Sequence, residues 1–226
     1  MHISPSRTST PTHLHCIKLL FYWPIFGLLF YWAEQVFHPA RFYVMHCWLD
    51  DYIPFCELFL IPYLSWFLFL FGIHIYTFLF DRPAFQKLMH FIILVYSIAL
   101  LIFFLYPNCQ TLRPAVFPRD NAFTRFIAAF YQFDTNTNVC PSLHVVGSLA
   151  VWTAARETRL FLRRKWRLFF HAATILICLS TVFLKQHSVL DLLAGVVVCL
   201  LAYAPVYRRQ QLYSLLLSLR RTKQVS

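Results

Sequence analysis

The sequence predicts an all-α membrane protein, a polytopic helical bundle of about six transmembrane helices. Of its 226 residues, 59% are hydrophobic and only 13% are charged. The apolar residues gather in runs about as long as a bilayer is thick, whereas a soluble domain of this length would show more polar interruptions. These two observations favour a single integral membrane domain.

Six apolar runs define the predicted helices. They cover residues 17–37, 53–79, 88–106, 142–155, 168–184 and 188–205. The fourth run is short for a full crossing. The second contains Glu57 together with Pro54 and Pro62, which favours a kink or a partly re-entrant start. Six crossings is the expected count.

The lysines and arginines predict the orientation, because cytoplasmic loops near membrane spans retain positive charge. One side of the predicted bundle holds 15 of these residues and the other holds five, namely Arg41, Arg113, Arg119, Arg125 and Lys185. We therefore expect a cytoplasmic segment over residues 1–16, a membrane domain over 17–206 and a basic cytoplasmic tail over 207–226. The net charge of +11 then reflects topology and attraction to anionic lipid headgroups at the cytoplasmic face, and nucleic-acid binding is not expected.

Seven cysteines are scattered along the chain without the paired spacing of zinc ligands. No metal site is predicted, and most of these cysteines are expected to be small apolar fillers. Cys109 and Cys140 both fall on the predicted outer side, which leaves a disulfide between them open.

Two short stretches place groups suited to catalysis at the edges of apolar runs. In the first, Cys140-Pro141-Ser142-Leu143-His144, a polar loop leads into a helix at Ser142. The free backbone N–H groups and the positive end of the dipole at such a helix terminus suit a phosphate. His144 lies in the first turn, where it can give a proton to a leaving group.

The second stretch contains His187 and Asp191, four residues apart. On a helix they share one face, so Asp191 can orient the imidazole and leave the other ring nitrogen free to attack phosphorus. Such a pair alone is more typical of a structural hydrogen bond, but beside the first stretch it favours catalysis. Together the two stretches predict a membrane enzyme that acts on phosphate esters.

At these residues the chain resembles the superfamily of type-2 phosphatidic acid phosphatases and vanadium haloperoxidases. Its pattern is Lys-x6-Arg-Pro, Pro-Ser-x-His and Ser-Arg-x5-His-x3-Asp. The matching positions are Arg113-Pro114, then Pro141-Ser142-Leu143-His144, then Ser180 with His187 and Asp191. The resemblance covers roughly residues 50–205, and the stretches 53–63 and 134–140 also look like a bacterial branch similar to inositol phosphorylceramide synthases.

The resemblance implies a role for each matched residue. His187 would be the nucleophile that forms a phosphohistidine, Asp191 its relay partner and His144 the acid for the departing alcohol. Arg113 and Ser142 would bind the phosphoryl oxygens. The family needs no metal or other cofactor for this chemistry.

Two positions depart from the family pattern. Tyr106 stands where the family has its first Lys, and Thr181 stands where it has the Arg after Ser180. Lys185 lies one helical turn beyond Thr181, and our hypothesis is that it supplies a missing phosphate cation. The alternative is an interfacial lysine that extends its ammonium group toward water.

The expected function is that of a metal-independent lipid phosphatase, multi-pass in a bacterial plasma membrane, with its active site on the extracytoplasmic side. Its substrate would be a membrane lipid phosphomonoester or pyrophosphate, such as phosphatidic acid, phosphatidylglycerol phosphate or a polyprenyl diphosphate. A transferase of the phosphoryl headgroup is the alternative within the same chemistry. A non-catalytic transporter or assembly factor on the same scaffold is the alternative of another class.

Overall fold

Residues 13–208 are described by a computed structural model, and they fold almost entirely into helices. The α-helices are α1 His13–Leu20, α2 Tyr22–Gln35, α3 Trp48–Tyr52, α4 Leu60–Phe80, α5 Arg82–Leu105, α6 Ala122–Phe133, α7 Leu143–Glu157, α8 Arg164–Phe183 and α9 Val189–Tyr207. Two 3₁₀ turns, Glu57–Phe59 and Arg159–Leu162, precede α4 and α8. Two short strands, β1 Tyr43–Val44 and β2 Asn108–Cys109, pair in parallel.

Five helical segments of the described chain are long and apolar enough to cross a membrane. They are His13–Gln35, Glu57–Phe80, Arg82–Leu105, Arg164–Phe183 and Val189–Tyr207. This confirms the prediction of an all-α bundle with several membrane-spanning helices. The predicted run 17–37 is divided at Phe21, where α1 meets α2, and the predicted run 53–79 becomes helical only at Glu57.

The fourth predicted run corresponds to α7, which is too short to meet the same length criterion. Its 15 residues extend about 22 Å, less than the roughly 30 Å of a bilayer core. The helix packs against α4, α5, α8 and α9. Its buried residues are small or β-branched, and include Val145, Val146, Ala150, Val151 and Ala154. Because α7 is enclosed by other helices, its length need not match the lipid.

Helix α5 begins at Arg82, six residues before the predicted start at residue 88. The Asp81 side chain accepts a hydrogen bond from the Ala84 N–H (3.2 Å), which caps the helix. Pro83 lies in the first turn, where a missing N–H costs nothing. Capping therefore extends the helix into a region whose polar residues resemble a loop.

The bundle has two distinct ends. One end of the bundle, which we call the basic end, carries positive residues at the starts of α5 and α8. There Lys87 Nζ lies 2.8 Å from Glu157, at the end of α7. A cavity of about 590 Å³ there is lined by Arg156, Arg164 and Arg167. Binding of anionic lipid headgroups at this end, and its cytoplasmic orientation, stay predictions. Much of the predicted terminal segments, residues 1–12 and 209–226, lies outside the described residues.

The opposite end, which we call the site end, is covered by the segments between helices. Strand β1 pairs with β2 in the register Tyr43 to Asn108, and the Tyr43 ring stacks on Tyr106 with a 4.2 Å centroid distance. The seven cysteines all lie in the described chain and all are free thiols, so the structure contains no disulfide between Cys109 and Cys140.

Helix α6 also lies at the site end, between the predicted runs 88–106 and 142–155, where the sequence predicts no membrane helix. Asn121 and Thr124 form a capping box at its start. Phe123 and Phe130 pack with the buried Ile127 against the start of α4. This apolar spacing of three and four residues is typical of an amphipathic helix.

Candidate active site

His187 lies in the tight turn that joins α8 to α9. The Thr181 carbonyl accepts hydrogen bonds from the N–H groups of Gln186 (3.0 Å) and His187 (3.1 Å), which closes the turn. Lys185 adopts the left-handed conformation within it, with φ of 54°. Thr181, which stands where the family pattern has an arginine, thus contributes its backbone to the position of His187.

Asp191 holds the His187 ring. Its Oδ2 lies 3.3 Å from His187 Nδ1 and also accepts the Ser188 N–H at 2.9 Å. The Asp191 side chain is completely buried in the first turn of α9, and Ser188 caps this helix. Because Nδ1 faces the carboxylate, Nε2 is the nitrogen of His187 that remains available for chemistry.

His144 lies in the first turn of α7 between two aromatic rings of α4. Its ring centroid is 4.1 Å from that of Tyr63 and 4.4 Å from that of Trp66. The preceding Ser142 donates its N–H to the Asp191 carbonyl (3.2 Å), which ties the start of α7 to the start of α9. Ser142 is fully buried, and its hydroxyl has no hydrogen-bond partner among the described residues.

The structure places His144 and His187 side by side. Their ring centroids are 6.2 Å apart, and both rings line one cavity of about 260 Å³. The rest of the lining is largely aromatic, and includes Trp23, Phe26, Phe30, Tyr63, Trp66, Phe67, Tyr96, Phe130 and Phe133. The two motifs, which are far apart in sequence, thus meet in a predominantly apolar cavity at the site end.

Arg113 lies next to this cavity and is held by several acceptors. Its guanidinium donates to Gln186 Oε1 from Nε (3.2 Å) and Nη2 (2.6 Å), and to the carbonyls of Tyr131 (3.0 Å) and Thr135 (2.8 Å). It lies 4.5 Å above the Tyr131 ring and 4.0 Å from an Asp134 carboxylate oxygen. Burial lowers the pKa of Arg113, and it raises the pKa of Asp134. Most of the guanidinium's donor capacity is engaged by the protein.

Lys185 faces α3 rather than the cavity. Its Nζ donates to the Asp50 carbonyl at 2.7 Å, and it is absent from the residues that line the histidine cavity. Burial lowers the pKa of the Lys185 ammonium, while the charges of Asp50 and Asp51 oppose that change. The hypothesis that Lys185 binds the phosphate stays a prediction.

Asp50 is a site residue that the sequence analysis missed. It is buried, and its carboxylate accepts hydrogen bonds from the Ser188 hydroxyl (2.6 Å) and the N–H groups of Val189 and Cys47 (both 2.8 Å). Ser188 and Val189 begin α9, so a negative charge here is also favoured by the helix dipole. Asp50 thereby anchors the turn that carries His187.

Asn108 anchors the stretch from Cys140 to His144 in the same way that Asp50 anchors the turn at His187. It is fully buried, and its side-chain amide bonds to both sides of Cys140, accepting its N–H (2.7 Å) and donating to its carbonyl (3.0 Å). The chain then passes through a cis peptide at Pro141 into Ser142. Asn108 thus fixes the approach of the chain to α7.

Glu34, at the end of α2, holds the loop between α6 and α7. Its carboxylate accepts hydrogen bonds from Asn138 Nδ2 (2.6 Å) and from the Thr135 and Thr137 hydroxyls. Glu34 and Asp134 both line the cavity that contains the two histidines. No arginine or lysine within residues 13–208 lines it, so its charged lining is acidic.

Metal ligation requires several coordinating side chains in one place. In the part of the chain that the structure describes, no group of three or more His, Cys, Asp or Glu side chains is arranged to hold a metal ion. The polar groups that surround the cavity are imidazoles, carboxylates and hydrogen-bond donors.

A known protein family matches most of this chain. A family described as the PAP2 superfamily matches residues 29–205, which includes every motif residue at the site. No curated protein and no solved structure shows significant similarity to the chain. Since the match covers most of the sequence, the protein belongs to the PAP2 superfamily.

Proposed function

We propose that this protein is a membrane lipid phosphatase that hydrolyses a lipid phosphomonoester or pyrophosphate through a phosphohistidine on His187. The superfamily suggests phosphatase-type activity. The observation that carries the proposal is the pair of imidazoles on one cavity, 6.2 Å apart, with His187 held by a buried carboxylate. Two rings at this separation can contact a single phosphoryl group.

The proposed reaction has two steps. In the first, the Nε2 lone pair of His187 forms a bond to phosphorus while the bond to the lipid oxygen breaks, and His144 gives that oxygen a proton. In the second, a water molecule loses a proton to His144 and attacks phosphorus, and the N–P bond breaks to release phosphate. Asp191 stabilises the charge that develops on the His187 ring.

An amphiphilic substrate fits the shape and lining of the cavity. Its wall includes Trp23 and Glu34, which are eleven residues apart on α2 and therefore separated by about 16 Å along the helix. Phe26 and Phe30 of α2 line the cavity between these two residues, and both histidines line the same cavity. An apolar tail would lie along α2 while its phosphate reaches His187.

The test is release of phosphate from a panel of lipid phosphates by purified protein, with vanadate as inhibitor, because vanadate imitates five-coordinate phosphorus. His187→Ala should lower release at least about 1,000-fold. His46→Ala is the matched control, since His46 is a partly exposed histidine in a loop and pairs only with Asp51 in the described chain. Equal release by wild type and His187→Ala would contradict the proposal and favour a non-catalytic membrane protein.

A headgroup transferase is the second candidate, because a phosphohistidine can be resolved by an alcohol as well as by water. The acidic lining of the cavity favours it: the carboxylates of Glu34 and Asp134 can accept hydrogen bonds from acceptor hydroxyls, whereas water needs no such site. Product analysis with and without added inositol or diacylglycerol separates the two. A phosphorylated acceptor would identify a transferase, and free phosphate alone a hydrolase.

We also propose that the site end faces away from the cytoplasm in a bacterial plasma membrane. The support is the charge asymmetry, since the arginines that line the 590 Å³ cavity lie at the other end of the bundle. Cysteine labelling at exposed Val116, on the site end, and at exposed Arg159, near the basic end, would test the orientation. In a background in which the seven native cysteines are replaced, a membrane-impermeant reagent should label only the first position in intact cells.

A further inference from the structure

Gln186 is a buried polar residue between Arg113 and the histidine cavity. Only 3% of its surface is exposed, and it contributes to the lining of that cavity directly before His187. Its Oε1 accepts two hydrogen bonds from Arg113, at 2.6 and 3.2 Å. Its Nε2 has no hydrogen-bond partner anywhere in the described part of the protein.

The orientation of this amide is determined by its partner. An arginine side chain has only donors, so the oxygen of Gln186 must face Arg113 and the NH₂ group must face the other way. A buried amide nitrogen with two unused hydrogens costs free energy, so the position of this group calls for an explanation. The cavity with His144 and His187 offers one.

We infer that Gln186 binds the phosphoryl group of the substrate. Its Nε2 donates to the phosphoryl group, while Arg113 holds its Oε1 on the opposite side of the amide. This rests on the proposed function and adds a residue that the family motif does not contain. The positive charge of Arg113 polarises the amide, which strengthens its N–H groups as donors. Arg113 then acts on the phosphate partly through Gln186.

A donor at Gln186 would partly compensate for two cations of the family pattern that this chain lacks. Tyr106 and Thr181 stand where the family pattern has a lysine and an arginine, and no cationic side chain of the described chain lines the cavity. Two further neutral donors near the histidines, the Ser142 hydroxyl and the Trp66 indole N–H, also have no partner in the described chain. Neutral donors fixed in place can stabilise an oxyanion without added charge.

Gln186→Glu separates this role from a structural one. A glutamate still accepts from Arg113, and as an ion pair it holds the guanidinium at least as well. It loses the N–H donors and brings a negative charge to the phosphoryl position. We expect vanadate binding, measured by isothermal titration of the purified protein, to weaken at least about tenfold, with no decrease in the thermal unfolding temperature.

Wild-type vanadate affinity in Gln186→Glu would overturn the inference, and so would a wild-type protein that binds no vanadate. If the glutamate variant does not fold, Gln186→Met replaces it. Unchanged vanadate binding by Gln186→Met would overturn the inference, and a tenfold loss at the wild-type unfolding temperature would support it. Vanadate binding is measured without turnover, so the two proposals can fail independently. If wild-type protein binds vanadate but releases no phosphate from any lipid, the phosphatase proposal fails and the inference about Gln186 does not.

Discussion

The Asp50 carboxylate and the Ser188 hydroxyl are joined by a 2.6 Å hydrogen bond, although 138 residues separate them. The Ser188 N–H donates in turn to Asp191, which orients His187. Helix α3 is therefore connected to the candidate nucleophile through two residues. Burial opposes the charge on Asp50, but the hydrogen bonds from Ser188, Val189 and Cys47 outweigh it and place the pKa of Asp50 below its ordinary value.

Asp50→Asn should weaken both the fold and the activity. An amide has one acceptor oxygen, so its NH₂ group must face at least one of the donors that now point at the carboxylate. We expect the free energy of unfolding to fall by about 2 kcal/mol and turnover to fall about tenfold, because the turn that carries His187 loses its anchor. Denaturant unfolding and phosphate release measure the two effects.

Asp51→Asn is the matched control, since Asp51 is exposed and pairs with His46. It should behave as wild type. Because the pKa of Asp50 is lowered in the folded protein, its contribution to stability is present above the unfolded pKa, near 4, and is lost as the pH falls through the folded value. A stability profile of Asp50→Asn that kept this entire acid-dependent loss would contradict the assignment.

Asp191→Asn should reduce turnover about 100- to 10,000-fold while leaving the fold intact. The amide can keep the contact with the His187 ring but favours the wrong tautomer and carries no charge to stabilise the imidazolium. Asp120→Asn is the control, because Asp120 is an exposed partner of Arg125 at the same end of the bundle. Turnover of Asp191→Asn within a few-fold of wild type would assign the His187–Asp191 contact a structural role only.

The membrane helices and the PAP2 resemblance were predictable because each depends on local pattern. Long apolar runs define α4, α5, α8 and α9, and they follow from bilayer thickness. His187 and Asp191 do contact each other, but His187 lies in the turn before α9 and not on the helix, so the contact depends on the turn and not on the helical period alone.

The anchors of the site were not predictable in the same way. Asp50 lies in a five-residue helix and Asn108 in a two-residue strand, and their hydrogen bonds reach segments 138 and 32 residues away in sequence. Hydrogen bonds between segments so distant in sequence leave no local pattern from which they could be predicted. Helix α6 does have a local sequence pattern, the capping box at Asn121 and the apolar spacing after it, but at 12 residues it is too short to be found as a membrane-spanning run.

The hypothesis that Lys185 replaces a phosphate cation makes a distinct prediction. Lys185→Met keeps the apolar stem and removes the charge; under this hypothesis vanadate binding and turnover would each weaken about tenfold, whereas the contact with the Asp50 carbonyl predicts a lower unfolding temperature alone. Lys87→Met, which loses an exposed ion pair at the basic end, is the control. If Lys185→Met changed only the unfolding temperature, the lysine would be assigned to its contact with the Asp50 carbonyl.

Gly147→Ala should displace His144 indirectly, through the Trp66 ring that packs against its imidazole. A Cβ atom at Gly147 would lie 2.6 Å from the Tyr96 hydroxyl oxygen and 2.9 Å from Trp66 Nε1, closer than packed atoms approach. Trp66 must then move, and its ring is one of the two that hold the His144 imidazole. We expect a loss of about 1–3 kcal/mol in unfolding free energy, together with a decrease in turnover, because a tightly packed helix crossing accommodates an added methyl group poorly.

Gly72→Ala provides the contrast within the same bundle. Apart from its chain neighbours and the backbone of its own helix, no atom of the described chain lies within 4 Å of a Cβ at Gly72, on α4. Here alanine should stabilise the helix by up to about 1 kcal/mol and leave turnover unchanged. If both alanine variants kept wild-type stability and turnover, α7 would not need its close contact with Trp66, and the position of His144 would depend on the stacking with Tyr63 and on the anchored start of α7.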